Sequence, residues 1–376
     1  MTTILTNACL VLADAVLHGT VVLDGAVIVD VQPGVSAALG ALDMDGDTLI
    51  PGVVDVHTDN LERQVQPRSN ARWPSRSAMV AHDAQCAAAG VTTVLDALCL
   101  GDLGFEKDRI TTFRDGVADL DALAGTGLLK SEHFLHLRCE LPAADMFELL
   151  DPVADHPFVR MISLMDHSPG VGQYADLDRY RAMRRRDGLD DAYIERRIAE
   201  LQDQRARLRD VNRRRLLDRV NRHVALASHD DRTAAEIDEN HRDGIRISEF
   251  PVSMLAATAA RARGMDVIAG APNIVRGGSH SGNVAAADLV REGAVDAFAS
   301  DYVPASLVEA AFQCVAETGI TLPQSVALVS DRPARLASLP DRGRIAPGLR
   351  ADLVRVRVHE ALPIVRQVWR TGERVI

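Results

Sequence analysis

Apolar positions along this chain change their spacing twice. From residue 2 to 31, short Val/Leu/Ile runs are interrupted by turn signals at Leu17-His18-Gly19-Thr20 and Leu23-Asp24-Gly25-Ala26, the pattern of a small antiparallel sheet. The alternation returns near the C-terminus from Asp352 to Val358 and from Ile364 to Trp369. Neither terminal piece carries enough apolar surface to fold alone, so the spacing predicts that residues 1–50 and 332–376 pair into one discontinuous β domain, a small β-sandwich. Between them the apolar runs are continuous rather than alternating, as parallel strands covered on both faces require. Such runs stand at Val53 to Val56, Val91 to Ala97, Phe134 to Glu140, Val159 to Met165, Val224 to Ser228, Ile245 to Phe250, Asp266 to Gly270 and Val295 to Ala299, with helix-forming stretches between them. They occupy about 250 residues, the usual length of an eight-stranded α/β barrel. The expected architecture is therefore α/β, a distorted (β/α)8 TIM barrel over residues 51–331 with the β domain made by both termini. A doubly wound open sheet is the competing arrangement, but no GxGxxG follows an early run.

One segment interrupts the barrel pattern. Residues 172–222, between the fourth and fifth runs, are strongly charged, with Arg184-Arg185-Arg186 and Arg213-Arg214-Arg215 among acidic residues. Ile194, Ile198, Leu201 and Leu208 recur there at helical spacing, which predicts at least one amphipathic helix. Its plainest reading is a solvated helical excursion. The alternative is a lid or an oligomer contact that lends an arginine to an anionic substrate.

Composition narrows the function classes. The net charge of −11 over 376 residues argues against general nucleic-acid binding, which needs a basic face to displace counterions. It leaves a small anionic ligand open. Cys9, Cys86, Cys99, Cys139 and Cys314 are scattered without a CxxC pair, so neither a disulfide framework nor a thiolate zinc site is expected, and a reducing cytoplasm fits. Asp14 breaks the only apolar stretch near the N-terminus, so no signal peptide or membrane span is expected.

Candidate chemistry lies where the apolar runs end, because barrel active sites form at the carboxyl ends of strands. The first run leads into His57 and Asp59, an i, i+2 pair on one side of a strand that can grip one cation. Later runs end in Arg138-Cys139-Glu140, Asp166-His167, His229-Asp230-Asp231, Glu249 and Asp301. So many ionisable groups around one barrel mouth are costly to bury unless cations neutralise them. Imidazole and carboxylate without thiolate suit Zn, Mn, Fe or Ni. After the seventh run, Arg276-Gly277-Gly278-Ser279-His280-Ser281-Gly282-Asn283 leads into the helix-forming Val284 to Val290. A glycine-rich loop opening onto a helix offers N–H groups to a phosphate, and Arg276 can add a bidentate contact. Arg63, Arg68, Arg72 and Arg138 are secondary candidates for anion contacts. His82 and Asp83, in a helical stretch, read as structural.

Pro-Gly-x-x-Asp-x-His-x-Asp at residues 51–59, Gly90-Val91-Thr92-Thr93-Val94, Ser300-Asp301 and Gly343-Arg344-Ile345-Ala346-Pro347-Gly348-Leu349-Arg350-Ala351-Asp352 resemble the amidohydrolase superfamily over nearly the whole chain. The resemblance implies a metal-bearing barrel with a β domain from both termini. It implies His57, His229 and Asp301 as metal ligands, Asp301 also carrying the proton of the attacking water, and Glu140 as a bridging carboxylate. Two departures stand out: Asp59 replaces the superfamily's second histidine, and Glu249 or nothing replaces the sixth-strand histidine. Harder oxygen ligands tilt the site from zinc towards Mn, Mg or Fe, or towards a single tightly held ion. His167 compensates, or the strand count is one off, which would put His167 and His229 on the fifth and sixth strands.

Longer motifs, among them His57-Thr58-Asp59-Asn60-Leu61, Leu137-Arg138-Cys139-Glu140-Leu141-Pro142, Met165-Asp166-His167-Ser168-Pro169-Gly170 and Gly270-Ala271-Pro272-Asn273-Ile274-Val275-Arg276-Gly277-Gly278-Ser279-His280, resemble the triphosphate diphosphatases of the carbon–phosphorus lyase (phosphonate) pathway. That resemblance implies hydrolysis of a small anionic sugar 5-triphosphate to the 5-phosphate and pyrophosphate. One or two divalent ions, zinc first with Mn, Fe or Mg as alternatives, are expected on His57, Asp59, Glu140, His167, His229 and Asp301. Asp301, His280 and Arg276 are the expected catalytic residues, and Arg276, Gly277, Gly278, Ser279, His280, Asn283 and Arg138 the expected phosphate contacts. A C–N-cleaving amidohydrolase (deacetylase, deaminase or cyclic amidase) and a non-catalytic metal-binding subunit are the rival readings. Neither nucleic acid nor membrane is expected as a partner, and self-association stays open.

Overall fold

A computed structural model describes residues 2–68, 71–104, 108–220, 224–279 and 282–376. Eight parallel strands form the barrel: Val53–Thr58, Val91–Leu100, Glu132–Glu140, Val159–Met165, Ala225–His229, Ile247–Glu249, Asp266–Gly270 and Ala297–Ala299. They pair in chain order, and each falls on one of the eight apolar runs. Every residue of the first two strands is buried, as continuous hydrophobicity demands of strands covered on both faces. His167 follows the fourth strand and His229 ends the fifth, so the count is not displaced.

The ring closes between the first and eighth strands at the residues expected to carry chemistry. Thr58 bridges Asp301 in parallel, Asp59 N donates to Asp301 O at 2.6 Å, and Asp301 N donates to His57 O at 3.0 Å. The barrel interior is filled by Val54, Val56, Leu95, Met161, Ile247 and Ile268, and by Ala334, Ala337 and Leu339 from helix Asp331–Leu336 and the residues just after it. Packing at that end thus continues past residue 331.

Strands of both termini make one hydrogen-bonded sheet, in the order Glu373–Arg374, Leu362–Arg370, Leu353–His359, Thr48–Pro51, Thr2–Val11, Val16–Asp24 and Val27–Pro33. The termini meet where Leu353–His359 runs antiparallel to Thr48–Pro51. Alternate residues turn inwards onto Leu5, Leu10, Val21, Leu49, Leu353 and Trp369. Gly52 joins this sheet to the barrel, and a Cβ there would collide with Thr92 and Asp352.

The insertion is not a solvated excursion. It holds helices Leu177–Arg186 and Asp191–Arg219. Ile194, Ile198 and Leu201 are buried, and so are the polar Asn212 and Arg213. Ion pairs Arg181–Glu195 and Arg185–Asp191, each at 2.6 Å, bind the two helices together. Among the described residues no helix is long and apolar enough to cross a membrane.

Candidate active site

A cavity of about 490 Å³ opens at the carboxyl ends of the strands, and His57, Asp59, Arg138, Glu140, His167, His229 and Asp301 all line it. Glu249 lies beneath it, fully buried at the end of the sixth strand. Its Oε1 accepts from His57 Nδ1 at 2.7 Å, and its Oε2 from His229 Nδ1 at 2.8 Å and Ser163 Oγ at 2.8 Å. Glu140 does the same for His167: Oε2 pairs with Nδ1 at 2.7 Å and Oε1 accepts the backbone N–H at 2.8 Å. A carboxylate on each Nδ1 holds the proton there, so all three imidazoles turn Nε2 towards the cavity.

Two donor groups result. His57, Asp59 and Asp301 bring ligand atoms within 4.8 Å of one another, and so do His167, His229 and Asp230. The groups adjoin, with the His57 and His229 rings stacked at 5.9 Å and the His167 and His229 rings edge to face at 5.6 Å. Asp230 was not among the expected ligands. Its signal is backbone strain visible only in three dimensions: Asp230, Phe250 and Asp301, just after or at the ends of three barrel strands, all adopt positive φ, at 58°, 53° and 56°. Non-glycine residues are held so only where the surroundings enforce it.

Local electrostatics calls for positive charge here. Burial pulls the His57 pKa down, but Glu249 and Asp59 outweigh it and hold the imidazole at about 10. Burial and the neighbouring Asp59 charge push the Asp301 carboxyl above the usual carboxylate range. Asp59 is held low despite its burial, chiefly by Arg138 at 2.7 Å and by His57. Asp230 Oδ2 is buried without a hydrogen-bond partner, 4.0 Å from His167 Nε2. Imidazole Nε2 atoms beside carboxylates and an orphaned carboxylate oxygen fit divalent cations, which would take the place of the proton that His57 Nε2 otherwise carries.

Each expected residue can now be located. His57, Asp59, His167, His229 and Asp301 converge. Glu140 reaches the cavity, but both its oxygens are engaged by His167, so it stands as the anchor of that imidazole rather than between the two groups. Glu249 supplies no direct cavity contact and orients two imidazoles from behind. A third buried histidine, His136, extends this network: Nε2 meets Ser163 Oγ at 2.5 Å and Nδ1 meets Val56 O at 2.9 Å. Burial, then the nearby His57 and Arg138 charges, lower its pKa to about 3. Arg276, Gly278, Ser279 and Asn283 line the cavity, whereas Gly277 does not; His280 lies outside the described residues. The loop does not run straight into a helix, because helix Ala286–Arg291 begins only after Ala285, and its first amide donates to Asn273 Oδ1 at 3.0 Å. From this segment it is Arg276 and loop residues, not a helix N-terminus, that face the cavity. Arg138 is committed to Asp59. Sequence reasoning missed Tyr174 and Arg109 in the cavity wall, since nothing in their local pattern sets them apart; Arg184, also in that wall, belongs to the arginine run already noted in the insertion.

His82 and Asp83 do not line the cavity and belong to a buried hydrogen-bonded cluster. His82 Nε2 pairs with Asp96 at 2.7 Å, while His133 is held between Asp96 at 2.8 Å and Asp83 at 3.2 Å. Asn60, one residue beyond Asp59, meets His82 Nδ1 at 2.9 Å.

This fold, a closed parallel barrel carrying a β sheet from both termini, is shared with solved structures of hydrolases, one of them described as an amidohydrolase (TM-score 0.63, 15% identity over 100% of this chain and 99% of that one). Among solved structures, N-acetyl-D-glucosamine-6-phosphate deacetylase from Mycobacterium smegmatis shares this fold with a TM-score of 0.64 and 18% identity over 100% of both chains. N-isopropylammelide isopropylaminohydrolase from Burkholderia multivorans matches with a TM-score of 0.61 and 17% identity, covering 100% of this chain and 98% of that one. No family model matches the sequence. The alpha-D-ribose 1-methylphosphonate 5-triphosphate diphosphatase of Escherichia coli (strain K12) is 42% identical over 377 residues, 99% of this chain and 100% of that protein. The chain belongs to that diphosphatase family.

Proposed function

We propose that this protein hydrolyses alpha-D-ribose 1-methylphosphonate 5-triphosphate to the 5-phosphate and pyrophosphate, in the cytoplasm and during phosphonate use. The observation that carries the reading is the pairing, in one cavity, of two donor groups with a loop bearing Arg276. His57, Asp59 and Asp301 would hold one divalent cation and His167, His229 and Asp230 a second, zinc first among the candidates. Such cations, when bound, act as Lewis acids and bring the pKa of water to ~7. Glu249 and Glu140 keep the three imidazoles in the ligating tautomer. A carboxylate oxygen of Asp301 takes the proton of the water that attacks the α-phosphorus, as the bond to the bridging oxygen breaks and pyrophosphate departs. Arg276 and the Gly278-Ser279 segment face the charge that accumulates on that leaving group.

The same donors would serve C–N hydrolysis, so metal content does not separate the two reactions; Arg276 does. The test is to strip the purified protein with chelator, reload it with Zn, Mn or Mg, and follow phosphate and pyrophosphate together. Pyrophosphate should appear in equimolar amount with the 5-phosphate. Release of single phosphates, or no turnover with any of the three ions, overturns the reading.

A further inference from the structure

The helical insertion roofs the cavity and is tied to its loops from several sides. In the long helix, Arg197 donates to Leu103 O at 2.7 Å, Arg205 pairs with Asp166 at 2.6 Å, and Gln204 donates to Pro142 O at 2.8 Å. These anchor the loops after the second, fourth and third barrel strands. From the shorter helix, the Arg179 guanidinium comes within 3.0 Å of where a Cβ on Gly282 would sit, in the loop after the seventh strand. The insertion therefore spans the mouth, and its Tyr174, Met183 and Arg184 line the cavity.

Tyr174 and Arg184 are held firmly. The Tyr174 ring meets His167 edge-on at 6.0 Å and Tyr180 at 5.5 Å. The Arg184 guanidinium lies 5.1 Å over the Tyr180 ring and pairs with Asp187 at 3.3 Å. Tyr174, Arg184 and Arg109 line the same cavity as His167, His229 and Asp230 of the second donor group. Arg109 stands in the first turn of helix Asp108–Leu123, which follows the second strand, and Tyr174 and Arg184 in the insertion after the fourth; Arg276, Gly278 and Ser279 follow the seventh. Cationic side chains thus enter the cavity from separate parts of the barrel rim, after the second and fourth strands and after the seventh.

The proposed substrate has anions at both ends of its ribose, and if its α-phosphorus lies over the donors and its pyrophosphate against Arg276, the C1 end falls to the other part of the rim. We propose that Arg184, with Arg109 and Tyr174, forms a second anion subsite that grips the C1 methylphosphonate and makes the insertion the determinant of selectivity at C1. This rests on the proposed triphosphate hydrolysis. The planar guanidinium suits a bidentate grip on phosphonate oxygens, and Met183 offers an apolar contact to the methyl group that a phosphate ester would not use.

The test compares the phosphonate-bearing triphosphate with ribose 5-triphosphate, which has a hydroxyl at C1, for the wild type, Arg184→Ala and Arg184→Lys. Arg184→Gln, which keeps more of the side chain, replaces the alanine variant if that one fails to unfold cooperatively. Arg184→Ala should raise KM for the phosphonate-bearing substrate about 10- to 100-fold, leave its kcat near the wild-type value, and leave KM for ribose 5-triphosphate unchanged. Arg184→Lys should recover part of the loss. An equal change for both substrates, or none for either, overturns the subsite while the hydrolysis stands. Wild-type protein that turns over neither triphosphate overturns the hydrolysis and the subsite together.

Discussion

Replacing Glu249 by glutamine tests the centre of the site without touching a cavity-lining atom. The carboxylate accepts from His57 Nδ1 at 2.7 Å through one oxygen, and from His229 Nδ1 and Ser163 Oγ, both at 2.8 Å, through the other. Glutamine turns one of those oxygens into an NH2 that only donates. Whichever way the amide sits, one imidazole loses its acceptor and is driven to the other tautomer, with its proton on Nε2 pointing at the position a cation would occupy. A hydrogen bond to a charged group contributes about 1.5–3 kcal/mol. Partners behind a metal ligand typically govern affinity by about 10- to 100-fold, or about 1.4–2.8 kcal/mol. The two ranges agree, so Glu249→Gln should bind Zn or Mn about 10- to 100-fold more weakly, measured by competition with a chelator of known affinity. Circular dichroism and cooperative urea unfolding verify that the barrel is intact. An affinity within about threefold of wild type would refute the claim that Glu249 sets the tautomers.

Four further outcomes are expected. Arg276→Ala should abolish most triphosphate hydrolysis while elemental analysis finds the wild-type metal content; unchanged turnover defeats the leaving-group role. Asp301→Asn should lower kcat about 100-fold or more, read from initial rates at saturating substrate, and a loss below tenfold would argue against proton transfer to that carboxylate. Metal should stabilise the folded chain by about 2.7 kcal/mol at a hundredfold excess over Kd, seen as a concentration-dependent rise in Tm; identical melts with and without chelator contradict the donor assignment. At His133, burial lowers the pKa but Asp96 and Asp83 outweigh it and hold it at about 9, above the ordinary ~6.5 of an unfolded chain. The imidazolium therefore contributes fully below about pH 6.5, on the order of 3 kcal/mol, and this is lost as pH rises through about 9. The stability gap between wild type and His133→Asn in urea should accordingly shrink between pH 6 and pH 9.5, and a constant gap would refute it.

Much of this molecule was legible in one dimension because its physics is local. Parallel strands covered on both faces must be apolar without interruption, so each of the eight runs marked a strand, and the alternating termini marked a sheet with one wet face. His57, His167, His229 and Asp301 were visible because a barrel gathers whatever stands at its strand ends. Tertiary structure decided which atom of each side chain is used. Glu249 reaches His57 across 192 positions, and no local pattern tells an inward ligand from the carboxylate that orients it from behind. The same holds for Glu140, engaged by His167, and for Asp230, turned to the cavity by a strained backbone. The insertion shows the limit most plainly: its charge reads as solvation, yet Arg197, Gln204 and Arg205 spend their hydrogen bonds on loops far away in the chain. Hydrophobic periodicity reports what each segment must bury, whereas the partner of a polar atom depends on which distant segment the fold brings alongside.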